Sequence, residues 1–173
     1  GIFYGLEKPA DTLFAKTIPY CNIDLEPYAY DLTLAGQILD DAGWKMGSGN
    51  VREKDGKQLN IDLLYNSDSV TEKSIAEYLQ SEYQTIGVSL NIHGEEEQSY
   101  RDNMKAGNFD MVFNICWGTP YDPQSSLAAM RAPVYGDYAA QLGLEDKAEI
   151  DSAITEILIT TDEARRQELY TYV

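Results

Sequence analysis

The feature that most constrains the fold is an alternation between residues 58 and 116. Three short apolar runs of strand character are separated by two segments of helical period. Gln58–Tyr65 puts Leu59, Ile61, Leu63 and Tyr65 at every second position, the pattern of a half-buried strand. Thr71–Ile86 carries Ile75, Leu79, Tyr83 and Ile86 on roughly one face, and Gly87 supplies a helix stop. Val88–His93 reads as a second strand, Glu95–Ala106 as a helix ended by Gly107, and Phe109–Cys116 as a third strand. Such a β-α-β-α-β succession joins parallel strands by right-handed crossovers. The fold class is therefore α/β, a mixed, mostly parallel sheet flanked by helices.

The third strand says most about function. Phe109, Met111, Phe113 and Ile115 alternate with Asp110, Val112, Asn114 and Cys116, and Val112 makes the second face apolar as well. That is the pattern of a strand covered by helices on both sides. It stops in Trp117, Gly118, Pro120, Tyr121 and Pro123. Open α/β sheets bind ligands outside the carboxyl ends of their strands. An indole and a phenol in a proline-stiffened loop at that point suit a ligand wall. The plainer alternative is that Trp117 and Tyr121 fill the rim of the core.

Around this unit the chain is less regular. Residues 1–30 contain Pro9, Pro19 and Pro27 and read as an extended lead-in over the surface. Asp31 is a good N-cap for a helix over Leu32–Ala42, with Leu34, Ile38 and Leu39 on one face and Gly43 as the stop. Residues 45–57 form a polar turn or hairpin tip. Helices are predicted over Pro123–Met130, over Lys147–Thr160 with Ile150, Ile154, Ile157 and Leu158 inward, and over Glu163–Val173 with Asp162 as cap.

Charge and motif content exclude several functions. The net charge of −16 argues against nucleic acid and anionic membranes as partners. No apolar run approaches the length of a membrane-spanning helix. Cys21 and Cys116 lack metal or redox spacing, and nothing in the sequence places them side by side. GxSxG, HExxH, P-loop and GxGxxG motifs are all missing, which argues against an enzyme. His93 is the single histidine, and one imidazole makes no metal cage. Glu95, Glu96 and Glu97 open a helix, where its dipole favours acids, and they lack calcium-loop spacing. The sequence thus supplies neither a resident metal site nor a cofactor site. Its thirteen tyrosines suit a ligand surface, since each combines apolar area with a hydroxyl.

Four segments carry a family resemblance. They are GLEKPADTLFA (5–15), IDLEPYAYDLTLAGQILDDAGW (23–44), GEEEQSYRDNMKAGNFDM (94–111) and WGTPYDP (117–123). Together they resemble the C-terminal lobe of the nickel-binding proteins of ABC importers, within the dipeptide- and oligopeptide-type solute-binding family. The resemblance covers nearly the whole chain, and GEEE with WGTPYDP favours the nickel branch.

The resemblance implies one lobe of a two-lobed, periplasmic-binding-protein-like receptor, spanning residues 1–173. The last helix stops mid-element, which suggests a truncated lobe whose leader lies upstream. It also implies an extracytoplasmic location, either periplasmic or anchored to the outer face of the cell membrane. The implied partners are a small metal–chelator complex, with nickel leading, and a membrane ABC permease. A dipeptide or oligopeptide receptor is the alternative. Trp117 and Tyr121 would contact the complex without ligating its metal. Tyr135, after Met130, Arg131, Ala132 and Pro133, stands where the family has a metal-contacting histidine. A phenol, ordinarily titrating near ~10, is a poor nickel ligand at neutral pH. The chelator would then supply the ligands, or the metal would not be nickel.

Overall fold

The computed structural model describes residues 5, 10, 12–114 and 123–173. Its centre is a parallel sheet of β4 (Asn60–Asn66), β5 (Ser89–Glu95) and β6 (Met111–Val112), in the order β5-β4-β6. Register is continuous along β4 and β5, from Asn60 opposite Ser89 to Asn66 opposite Glu95. On the other side Leu63 and Leu64 face Met111 and Val112. The expected α/β class and parallel sheet are present, with each helix in its expected place in the alternation.

Period-two alternation sends neighbouring side chains to opposite helices. Leu63, Tyr65 and Leu90 are buried in one cluster with Ala76 of α2 (Val70–Thr85), joined by Leu79, Tyr83, Met111 and Phe113. Leu64 is buried on the opposite face with Tyr100 and Met104 of α3 (Glu97–Ala106), joined by Phe109 and Val112. Both faces of the sheet are therefore covered, as the apolar third strand requires. Phe109 is a correction. It was expected on the side of Met111 and Phe113, yet it packs on the α3 side. The ladder begins only at Met111, so strand alternation does not reach back to residue 109.

Helix α2 starts one residue earlier than expected, because the Ser69 hydroxyl accepts from the Glu72 amide at 3.2 Å and makes Ser69 the N-cap. Gly107 ends α3 with φ 73°, a left-handed stop that glycine adopts without penalty.

Helix α1 (Leu32–Asp41) begins at its expected cap, the Asp31 carboxylate accepting from the Leu34 amide at 2.9 Å. Residues 45–57, read as a polar turn or hairpin tip, hold two antiparallel hairpins. Strands β1 (Lys45–Met46), β2 (Arg52–Lys54) and β3 (Lys57–Gln58) form a small antiparallel sheet. Asp55 and Gly56 close its second hairpin with φ 52° and 76°, the two positive values of a type I′ turn. Gln58 consequently belongs to this hairpin, and the parallel strand starts at Asn60.

Arg52 joins the small sheet to the rest. Only 6 % exposed, it donates to the carbonyls of Ile86 (2.6 Å) and Trp44 (2.7 Å) and to Asp40 Oδ1 (2.8 Å). The Arg52 guanidinium, with help from Lys45, holds the Asp40 carboxyl below the usual carboxylate range.

The remaining helices are α4 (Gln124–Met130), α5 (Gly136–Ala140), α6 (Lys147–Ile159) and α7 (Glu163–Tyr172). Helix α5 was not expected. Leu127, Met130, Ala153, Ile154, Ile157, Leu169 and Tyr170 form a second core among α4, α6 and α7. Arg165 of α7 grips Glu156 of α6 through two bonds of 2.6 and 2.8 Å. Residues 12–30 contain no helix or strand. They are pinned to α7 at Tyr20, whose ring stacks on Tyr170 with centroids 4.8 Å apart. Cys21 is buried, whereas Cys116 lies outside the described residues.

Candidate functional site

The carboxyl ends of the three parallel strands lie side by side, where an open α/β sheet collects its ligand groups. Glutamates from the starts of α2 and α3 both hold the end of β4. The Asn66 amide nitrogen of β4 donates to Glu72 Oε2 at 2.8 Å, and the Asn66 side chain donates to Glu97. The Ser67 amide donates to the Glu95 carbonyl at 2.8 Å, tying β4 to β5.

Of the acidic run expected to open α3, only Glu97 lies in the helix; Glu95 ends β5 and Glu96 is the N-cap residue, with no side-chain capping bond. Glu95 accepts from the Ser99 hydroxyl at 2.8 Å, and Glu97 accepts from Asn66 and Arg101. Glu97 also sits in the first turn of α3, where the helix dipole favours a carboxylate. These are structural carboxylates with protein partners. Among the described residues, no three His, Cys, Asp or Glu side chains are grouped so as to hold a metal ion.

The end of β6 is held differently. The buried Tyr100 hydroxyl donates to the Phe113 carbonyl. Burial first, and then the nearby carboxylates of Glu72 and Glu97, push its phenol up to about 12. It therefore remains a proton donor throughout the physiological range. The next residue, Asn114, donates from Nδ2 to Asp137 Oδ2 at 3.1 Å.

Asp137 brings in the third candidate. Tyr135 is the N-cap residue of α5, with extended backbone at φ −115° and ψ 148°. Its amide donates to the Ala132 carbonyl at 3.1 Å, and the residue is 50 % exposed. Gly136 is buried against α3. A Cβ there would stand 2.3 Å from Met104 Cγ, so only glycine permits this approach. Tyr135 is thus presented by a short helix seated on α3 and tied to the end of β6.

Trp117 and Tyr121 lie outside the described residues, as do the other residues from 115 to 122. His93 belongs to the body of β5, opposite Leu64, with Nε2 3.1 Å from Asp62 Oδ1. Asn91 donates to the same oxygen at 3.0 Å, and these two partners, Asn91 foremost, lower the Asp62 pKa. His93 has a carboxylate partner within the sheet and is not among the residues gathered near Tyr135.

The sequence reading did not single out Tyr100, Asn114, Gly136 or Asp137. Tyr100 and Met104 at i, i+4 on one helix face were a usable signal for burial. The pairing of Asn114 with Asp137 across 23 residues had none.

Comparison with known proteins adds an independent line. Residues 1–137 match the family described as Bacterial extracellular solute-binding proteins, family 5 Middle. The chain is 44% identical over 168 residues to the nickel-binding periplasmic protein of Escherichia coli (strain K12), covering 96% of this chain and 32% of that protein. It superposes on the crystal structure of NikA from Brucella suis in complex with Fe(III)-EDTA with a TM-score of 0.92 and 46% identity, over 99% of this chain and 35% of that one. NikZ from Campylobacter jejuni, in complex with Ni(L-His), gives a TM-score of 0.66 and 25% identity, over 84% of this chain and 29% of that one. The chain spans about a third of the length of these relatives.

Proposed function

Because this chain belongs to the bacterial extracellular solute-binding proteins of family 5, we propose that it forms the C-terminal lobe of an ABC-importer receptor for a nickel–chelator complex. The receptor works outside the cytoplasm, closes its two lobes about a hinge on the bound complex, and delivers it to a membrane permease. Its activity is capture and release, with no bond made or broken. The observation that carries this reading is the likeness to NikA from Brucella suis, a TM-score of 0.92 over nearly the whole chain.

Native mass spectrometry of the family-length protein, purified from cells grown with added nickel, tests the reading. The expected result is a retained mass carrying the nickel isotope pattern together with an organic chelator. A retained peptide without metal would replace this reading with the oligopeptide one.

In this reading Trp117 and Tyr121 supply ring surface to the complex. Trp117→Ala and Tyr121→Ala should each weaken binding about tenfold, near the lower end of the roughly 1.5–3 kcal/mol that burial of a large apolar side chain contributes. Isothermal titration of the family-length variants with Ni(II) and L-histidine measures this, and full affinity in both would return the two side chains to the core rim.

Tyr135 is half exposed and offers one hydroxyl. Tyr135→Phe should change affinity no more than about fivefold, the worth of one hydrogen bond of about 1 kcal/mol. Tyr135→His adds an imidazole and should tighten binding of a nickel complex that has an open coordination position. If Tyr135→Phe abolishes binding, the phenol is itself a ligand, deprotonated by the metal.

A further inference from the structure

Phe113 and Asn114, the two residues that follow β6, are held by different elements. Tyr100 of α3 donates to the Phe113 carbonyl, and the Asn114 amide donates to Asp137 of α5. Met104 lies one turn along α3 from Tyr100, and Gly136 of α5 rests against it. One face of α3 therefore supports both the end of β6 and the start of α5. The Asn114–Asp137 bond joins those two supported points directly. Tyr135 is the residue immediately before Gly136, so its backbone position follows from this arrangement.

We propose that Tyr100, Asn114 and Asp137 are positioning residues for ligand capture, fixing Tyr135 relative to the end of β6 without touching the ligand. The inference rests on the reading that Tyr135 faces the bound complex. Asn114 is exposed and Asp137 partly so. A hydrogen bond in such a setting adds little to global stability. Its loss should therefore appear as misplacement of α5, not as unfolding. Tyr100 differs in that its ring is buried, so its hydroxyl must be removed without removing the ring.

The test uses the family-length protein, with Ni(II) and two equivalents of L-histidine as the probe. Two readouts are taken: affinity by calorimetry, and amide hydrogen exchange across residues 135–139 without ligand. Asp137→Ala should weaken binding about fivefold, as expected for one lost hydrogen bond. It should also speed exchange in that segment while leaving the melting temperature nearly unchanged. The reversed pair, Asn114→Asp with Asp137→Asn, rebuilds an amide–carboxylate bond in the opposite sense. It should restore both readouts to within about twofold of the unmodified protein. Tyr100→Phe, which keeps the ring and loses only the donor, should show the same loss of affinity and faster exchange, together with a lower melting temperature because Tyr100 is buried.

Exchange that does not change in Asp137→Ala, or that the reversed pair does not restore, overturns the brace. Exchange that follows the pair while affinity stays constant overturns its role in capture. Failure of the unmodified protein to bind the probe would count against the transport reading and remove the capture role with it. Exchange would still decide whether the brace exists.

Discussion

Arg52→Met is expected to destabilise the protein by about 3 kcal/mol. Methionine keeps most of the apolar stem, so the loss isolates the guanidinium. The acceptors are the carbonyls of Ile86 and Trp44, just beyond the ends of α2 and α1, and the Asp40 carboxylate. Carbonyls at helix ends have no partner within the helix. A hydrogen bond from a charged donor contributes roughly 1.5–3 kcal/mol. The two carbonyl bonds, both partly buried, set most of the total. Asp40 is about half exposed and adds less because solvent screens it. Arg52→Lys should recover only part of the loss, since one ammonium cannot reproduce the planar fork.

The same pair predicts a pH effect. The folded pKa of Asp40 is depressed, chiefly by its bond to Arg52. Its contribution is therefore present above the ordinary carboxylate value near ~4 and is lost as pH falls through the depressed folded value. In Arg52→Met that acid-side dependence should flatten. Urea midpoints followed from neutral pH to acid measure both effects. A neutral-pH loss under about 1 kcal/mol, too small for even one charged hydrogen bond, would show that Arg52 is dispensable.

The central fold was legible because its signals are periodic and repeated. Leu63, Tyr65 and Leu90 follow the two-residue strand period, while Gly87 and Gly107 mark where the helices stop. The elements read least sharply, a hairpin region given without strands and a helix not seen at all, are too short to carry a period. Strands β1, β2 and β3 have two or three residues each, and only Asp55-Gly56, a type I′ hairpin signal, announced them. Helix α5 has five residues and begins at a glycine. Arg52 reads as an ordinary surface cation in sequence, because its acceptors include a carbonyl 34 residues away.

The site divides along the same line. Tyr135 is proposed through resemblance at a position in a motif, a signal that needs no periodicity. What holds Tyr135 in place was not found, because Tyr100, Asn114 and Asp137 meet only after the crossover has folded. Trp117 and Tyr121 remain proposals resting on the motif WGTPYDP and its place after β6.

Gly136→Val is expected to cost about 3 kcal/mol, the upper end of the usual range for overpacking a filled interior. Gly136 opens α5 and is buried, and a Cβ there would lie 2.3 Å from Met104 Cγ and 2.9 Å from its sulfur. Its φ is not in the left-handed region, so valine meets a steric obstacle and no backbone penalty. Met104 has limited room to retreat, because it is packed with Leu64 and Tyr100 beneath the sheet. Relief must come from α5 moving away from α3, which would carry Tyr135 with it and stretch the Asn114–Asp137 bond. Met104→Ala supplies the control. Alone it should destabilise by about 2–5 kcal/mol through the cavity it leaves. Combined with Gly136→Val it should cost clearly less than the sum of the two, because the valine enters the vacated volume. Urea unfolding of the four proteins in this cycle measures the coupling. Strict additivity would mean that residues 104 and 136 are not in contact, and that α5 owes its position to something other than its seat on α3.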